Sequence, residues 1–196
     1  MTAEKPIRWG IIGTGFAAVH FADGLRHVPG AIVAAVASQS ASRAQVFAQR
    51  AGSARACSTY DQMFDQADID IIYVASGNTE HREHCLRAIA AGKAVLCEKP
   101  FALDGAQSRV VVEAARTAGV FCMEALRTRF LPVLERVRML IAQGRIGDLV
   151  SVQAQIGHRF VFEPSSRFFD PAQGGGALFD LGVYPLSIAL ALLGRP

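Results

Sequence analysis

No Cys-x-x-Cys pair occurs among the four cysteines, Cys57, Cys85, Cys97 and Cys122, so neither a disulfide framework nor a zinc ribbon is written into the chain. Reduced thiols and a cytoplasmic protein are the expectation that follows. An excess of one charge is missing too. With 20 Lys and Arg against 17 Asp and Glu the net charge is +3, and the basic residues are scattered. Phosphate-driven binding needs cations concentrated on one face, so nucleic acid is not an expected partner. The N-terminus lacks the apolar core and small-residue cleavage site of a secretion signal. No apolar run reads as reaching the ~18–20 residues of a membrane helix, so no membrane association is expected. Internal repeats and low-complexity tracts are absent. What the chain does have is 51% hydrophobic and 19% charged residues, enough for a substantial core and outside the signature of disorder.

Short β-branched runs alternate with longer periodic ones. Strands are expected over Ile7–Ile12, Ala31–Ala37 and residues 69–74, 94–97 and 120–123, with helices over about 17–26, 43–51, 80–91 and 104–118 between them. Asn78 and Asp104 read as helix starts, and Gly52, Gly92 and Gly119 as left-handed caps after helices. A βαβα order of this kind implies a parallel sheet covered by helices on both faces. After Phe130 the pattern changes. A helix over 131–142 leads to one alternating segment, 149–156, expected as a half-buried strand, then a loop rich in Pro, Ser and Gly and an apolar helix over 177–193. One strand and one helix do not make a self-sufficient domain. The expected organisation is therefore a first domain over 1–124 and the start of a second, incomplete one over 125–196.

Gly13-x-Gly15-x-x-Ala18 follows the first strand and opens a helix. That context makes it a Rossmann fingerprint: Gly13 permits the tight turn, Gly15 lets the backbone approach a pyrophosphate, and Ala18 packs helix on strand. Thr14, Phe16 and Ala17 complete the loop as candidate dinucleotide contacts. The second strand ends Val36-Ala-Ser38-Gln39-Ser40, with no acid where an NAD site usually holds one on the ribose diol. Ser38, Gln39 and Arg43 could instead meet a 2′-phosphate. The expectation is NADP over NAD, against the bland reading of Arg43 as a solvated helix residue.

Lys99, between Glu98 and Pro100, falls at the carboxyl edge of the sheet, where open α/β folds bind ligands. In Gly174-Gly-Gly-x-x-x-Asp180-x-Gly-x-Tyr184, Asp180 and Tyr184 are four apart and share a helix face. Removing a hydride from a carbinol needs a base for the hydroxyl proton. A tyrosine, with an ordinary pKa of about 10, serves only where a cation stabilises its phenolate. Lys99 is the candidate cation, Tyr184 the acid/base, and Asp180 the group that positions substrate or base.

The combination of the glycine loop, Asn78-x-x-His81, Glu98-Lys99-Pro100 and the Gly174–Tyr184 motif resembles the Gfo/Idh/MocA oxidoreductases over essentially the whole chain. The resemblance implies a doubly wound Rossmann domain followed by an open-faced α+β sheet domain, here incomplete. It implies hydride exchange between NADP or NAD and sugars, polyols or related carbinols, with Lys99, Asp180 and Tyr184 at the catalytic positions. It places Asn78, His81, Glu98, Lys99 and Arg129 on the cofactor side. The segment from Met123 to Pro132 is similar to dimeric dihydrodiol dehydrogenases and NADP-dependent xylose dehydrogenases, so a homodimer is implied where the full C-terminal sheet is present. Two local departures are Gly77 in place of a common Pro and Arg127 in place of the dihydrodiol branch's Trp.

Other readings have less behind them. A short-chain dehydrogenase needs Tyr-x-x-x-Lys, which is absent. A methyltransferase would prefer a glycine at Ala17 and an acid after the second strand. His81, His84 and Cys85 could form a zinc site on one helix face, but no further ligand has recognisable spacing and no metal is expected. A non-catalytic dinucleotide-binding module, or an inactive fragment, remains the alternative to an enzyme.

Overall fold

Six strands form one sheet in the order β3-β2-β1-β4-β5-β6 in the computed structural model, which describes residues 5–52 and 54–194. The strands are β1 (Ile7–Ile12), β2 (Ala31–Ala37), β3 (Arg55–Cys57), β4 (Ile71–Val74), β5 (Ala94–Glu98) and β6 (Cys122–Ala125). Between them run helices α1 (Phe16–Leu25), α2 (Ala41–Arg50), α3 (Tyr60–Phe64), α4 (His81–Ala90) and α5 (Gly105–Ala118). The β1–β2, β1–β4, β2–β3 and β4–β5 pairs are all parallel. The order reverses direction at β1, which opens a crevice beyond the carboxyl ends of β1 and β4. The chain divides into two compact units, Met1–Glu124 and Ala125–Pro196.

Period-2 alternation sorts the strand residues of the first unit onto two covered faces. Ile12, Ile72, Val74, Val95 and Cys97 join one core cluster with Cys85, Ala88 and Ile89 of α4 and Val111 and Ala115 of α5. Tyr73, between Ile72 and Val74, points the other way and stacks on Phe21 of α1 with centroids 3.9 Å apart, while Phe21 meets Trp9 of β1 at 5.0 Å. Asp104 caps α5 by accepting from Gln107 N–H at 2.7 Å. Gly52, Gly92 and Gly119 all have positive φ, 90°, 70° and 65°, as their place after helices requires. Asn78 does not begin a helix directly: it opens a 3-10 turn, Asn78–Glu80, that leads into α4.

Arg8 ties β1 to the start of β4. Its backbone N–H and its Nε both donate to Asp70 Oδ2, at 2.8 and 3.1 Å, and a terminal nitrogen donates to Oδ1 at 3.0 Å. The Arg8 side-chain hydrogen bonds, then its backbone N–H, hold the Asp70 carboxyl down from 3.8 to about 2. A carboxyl depressed on folding stabilises the fold above its ordinary pKa and loses that contribution as pH falls through the folded value. Urea midpoints of the wild type are therefore expected to fall between about pH 4 and about pH 2 more steeply than those of Asp70→Asn. The effect is modest, because the Asp70 side chain is 42% exposed and solvent screens it. Parallel curves would refute the tie.

The second unit holds a 3-10 turn (Arg127–Phe130), α6 (Pro132–Ala142), a 3-10 turn (Pro171–Gln173), a π-helical turn (Leu178–Gly182) and α7 (Val183–Leu193). The strand expected over 149–156 is not formed. Among the described residues no strand follows Ala125, so this segment has no neighbour for its ladder hydrogen bonds, and Val150 is 90% exposed. The expectation about long apolar runs also needs correction. The helical stretch Pro171–Leu193, 23 residues at a mean hydropathy of 1.8, is long and apolar enough to cross a membrane by length and composition. Gly174 and Gly176, at φ 72° and 115°, interrupt it. The unbroken part, 177–193, spans about 25 Å at ~1.5 Å per residue, short of the ~30 Å hydrocarbon core.

Candidate functional site

The turn after β1 is wedged between its neighbours. Gly13 has φ 101°, and a Cβ there would lie 2.2 Å from the Ala75 carbonyl oxygen at the end of β4. Its N–H donates to Ala37 O at the end of β2 (2.9 Å). Only glycine satisfies both demands. Gly15 is different: it caps α1 with an ordinary φ of −79°, and a Cβ on it would meet nothing within 4 Å. No side chain caps α1 and its first turn carries no acid, so its leading amides are left without a side-chain acceptor, as an anion site requires. Thr14 Oγ1 lies 3.4 Å from Ser38 Oγ, Phe16 is 79% exposed, and Ala18 is fully buried against the sheet. Ala17 is half-buried. The residues present thus fit a dinucleotide, with bare, open backbone at Gly15 that a side chain would cover.

At the tip of β2 the buried Ser38 hydroxyl accepts from Ser40 N–H at 3.3 Å, and Ser40 Oγ caps α2 by accepting from Arg43 N–H at 3.4 Å. Arg43 is exposed in that first helical turn. Gln39 donates to Glu80 Oε1 at 2.7 Å, so the fold supplies an acid here after all. Sequence reasoning missed Glu80 because it arrives from the turn after β4, 41 residues on.

The ends of β4 and β5 are joined through α4. His81 is 1% exposed, with Nδ1 2.8 Å from Pro100 O and Nε2 3.2 Å from Ser76 O. Burial lowers its pKa, and in the neutral ring the shorter contact takes the one N–H. Both nitrogens of His81, which the resemblance places on the cofactor side, lie against backbone carbonyls and tie together the turns after β4 and β5. His84 Nδ1 sits 2.8 Å from Ser76 Oγ, holding the same turn that carries Asn78. At the end of β5, Glu98 accepts from the Tyr73 hydroxyl and, at 3.2 Å, from Lys99 N–H. Its carboxylate is fixed, and Lys99 follows it half-buried at the sheet's carboxyl edge.

In the second unit the three glycines form a built turn rather than a loose entry. Gly175 N–H donates to Asp170 O at 2.9 Å and Gly176 N–H to Phe168 O at 2.8 Å. A Cβ on Gly175 would come within 2.7 Å of that Asp170 oxygen. Asp180 lies in the π-helical turn and Tyr184 in the first turn of α7, both half-buried. π-turns of this kind recur at functional sites. Arg129 Nε donates to Ser187 Oγ of α7 at 3.1 Å.

Comparison with known proteins agrees with this geometry. Residues 7–126 match the family model described as oxidoreductase family, NAD-binding Rossmann fold, and residues 134–196 match the Gfo/Idh/MocA C-terminal domain. The chain belongs to the Gfo/Idh/MocA oxidoreductase family. It is 39% identical over 180 residues, 91% of its own length and 53% of the relative's, to trans-1,2-dihydrobenzene-1,2-diol dehydrogenase of Macaca fuscata fuscata. It is 37% identical, over 92% of its length and 51% of the relative's, to D-xylose 1-dehydrogenase (NADP(+)) of Hypocrea jecorina. The chain thus spans about half the length of the curated relatives it matches. Among solved structures, KijD10, a 3-ketoreductase from Actinomadura kijaniata in complex with NADP, aligns with TM-score 0.80 and 31% identity over 97% of this chain and 56% of that one. GenD2 from gentamicin A biosynthesis, in complex with NAD, aligns with TM-score 0.83 and 25% identity, over 100% and 56%.

Burial pushes the Cys97 thiol well up and the Cys122 thiol to about 12, which leaves neither as a thiolate nucleophile. Among the described residues no group of three or more His, Cys, Asp or Glu is placed to hold a metal.

Proposed function

We propose that the protein transfers a hydride between a nicotinamide dinucleotide, NADP or NAD, and the carbinol of a sugar, polyol or dihydrodiol. The observation that carries this is the turn after β1: a glycine at 13 that the sheet demands, a glycine at 15 that the fold itself does not, and an uncapped helix behind them. The relatives named for dihydrobenzenediol and xylose both act on a C–H bearing a hydroxyl, which supports the substrate class. Ser38 and Arg43 favour NADP.

The bound nicotinamide supplies the hydride acceptor. The chain's own residues do the rest. Gly13, Thr14, Gly15, Phe16 and Ala17 would hold the pyrophosphate, with Asn78 and Glu98 as contacts at the neighbouring strand ends, and the family resemblance adds Arg129 as a further cofactor contact. Tyr184 takes the hydroxyl proton as the C–H hydride leaves, and returns it in the reverse direction. Lys99 assists that proton transfer as a general cationic group, and Asp180 positions substrate or base.

Incubation with NADP and NAD and a panel of aldoses, polyols and dihydrodiols, followed by absorbance of the reduced nicotinamide, tests the reading. Turnover of at least one carbinol is expected. Saturable dinucleotide binding with no turnover of any would contradict the enzymatic reading and leave a cofactor-binding module.

A further inference from the structure

The tip of β2 decides between the two dinucleotides in doubly wound folds: an acid there accepts from a free ribose 2′-hydroxyl, whereas an arginine meets a 2′-phosphate. In this chain β2 ends without an acid, yet a carboxylate stands at its tip. Glu80 Oε1 accepts from Gln39 Nε2 at 2.7 Å, and Glu80 Oε2 accepts from Gly77 N–H at 3.1 Å. One oxygen is thus held from the β2 side and the other from the β4 side, which fixes the carboxylate across the gap between the two strand ends. Arg43, of opposite charge, is exposed in the first turn of α2 on the same edge. Their charges act on the Tyr60 phenol in opposite senses: burial raises its pKa, Glu80 raises it further, and the Gln39 backbone and Arg43 lower it.

We propose that Glu80 is a selectivity-determining carboxylate of the dinucleotide site, supplying from the turn after β4 the acid that β2 lacks. It opposes Arg43, so that the protein accepts NAD as well as NADP. The inference rests on the dinucleotide reading given above. The carboxylate accepts from a free 2′-hydroxyl and repels a dianionic 2′-phosphate, and Arg43 does the reverse. Neither charge alone then sets the preference.

Fluorescence titration gives the dissociation constants of NADPH and NADH for the wild type, Glu80→Gln and Arg43→Gln. Wild-type constants within about tenfold of each other are expected. Glu80→Gln should move the ratio toward NADPH by about tenfold or more, and Arg43→Gln should move it toward NADH by a similar factor. Raised salt should shrink both shifts. A ratio unmoved by Glu80→Gln while both dinucleotides still bind would overturn the proposal. Binding of neither dinucleotide by the wild type would bring down the dinucleotide reading itself, and this proposal with it. Glu80→Gln keeps an acceptor oxygen for Gly77 N–H. Should it still fail to fold, Arg43→Gln, a surface change, reads the same balance from the other side, and an unmoved ratio there would also overturn it.

Discussion

Gly15→Val is expected to leave the unfolding free energy within about 1 kcal/mol of wild type while weakening NADPH and NADH binding by roughly a hundredfold or more. The two halves of that result have separate causes. Gly15 has φ −79°, which valine adopts without strain, and its Cβ would enter open space. Nothing in the fold opposes the side chain. It would, however, cover the backbone at the start of α1, where a pyrophosphate must approach closely to meet the helix amides. Gly13→Ala gives the opposite contrast. At φ 101°, with a Cβ 2.2 Å from the Ala75 carbonyl oxygen, it combines backbone strain of ~1–3 kcal/mol with overpacking of ~1–3 kcal/mol, and should damage the fold itself. Urea denaturation and dinucleotide titration of the two variants separate the effects. Unchanged affinity in a folded Gly15→Val protein would remove the pyrophosphate from this turn.

Lys99→Ala and Tyr184→Phe are each expected to lower kcat by roughly 10²–10⁴, with dinucleotide dissociation constants changed by less than about tenfold. Both effects follow from the proton rather than the hydride. Without its hydroxyl, residue 184 cannot exchange a proton with the carbinol. Lys99→Arg keeps a charge and should retain more activity than Lys99→Ala, though arginine's planar fork is no exact substitute. Wild-type turnover in Tyr184→Phe would assign the proton to another group.

Local pattern was strong enough to locate β1 and β2 at their observed limits, because β-branched runs bounded by turn residues leave little choice of period. It did not find β3 or α3, which are three and five residues long, shorter than the windows in which a period can be counted. Residues 149–156 failed in the other direction: alternation states that a segment could be a strand, but a strand exists only with a neighbour. The glycine loop and the Glu98-Lys99-Pro100 turn were legible because their chemistry is contiguous in sequence. Glu80 was not, since its meeting with Gln39 depends on the parallel order that sets the ends of β2 and β4 on either side of β1. His81 shows the limit of a motif: the position was legible, but its enclosure between Ser76 and Pro100 belongs to the tertiary structure.

The central claim, that the first unit binds a nicotinamide dinucleotide, is tested most directly by titrating the chain with NADPH and NADH while exciting Trp9. This sole tryptophan lies on β1, the strand that runs into the Gly13 turn. The expected result is saturable one-site quenching of Trp9 with sensitised emission from the reduced nicotinamide, at a dissociation constant of roughly micromolar order. A folded chain whose emission is unmoved by either dinucleotide up to about millimolar concentration would contradict it.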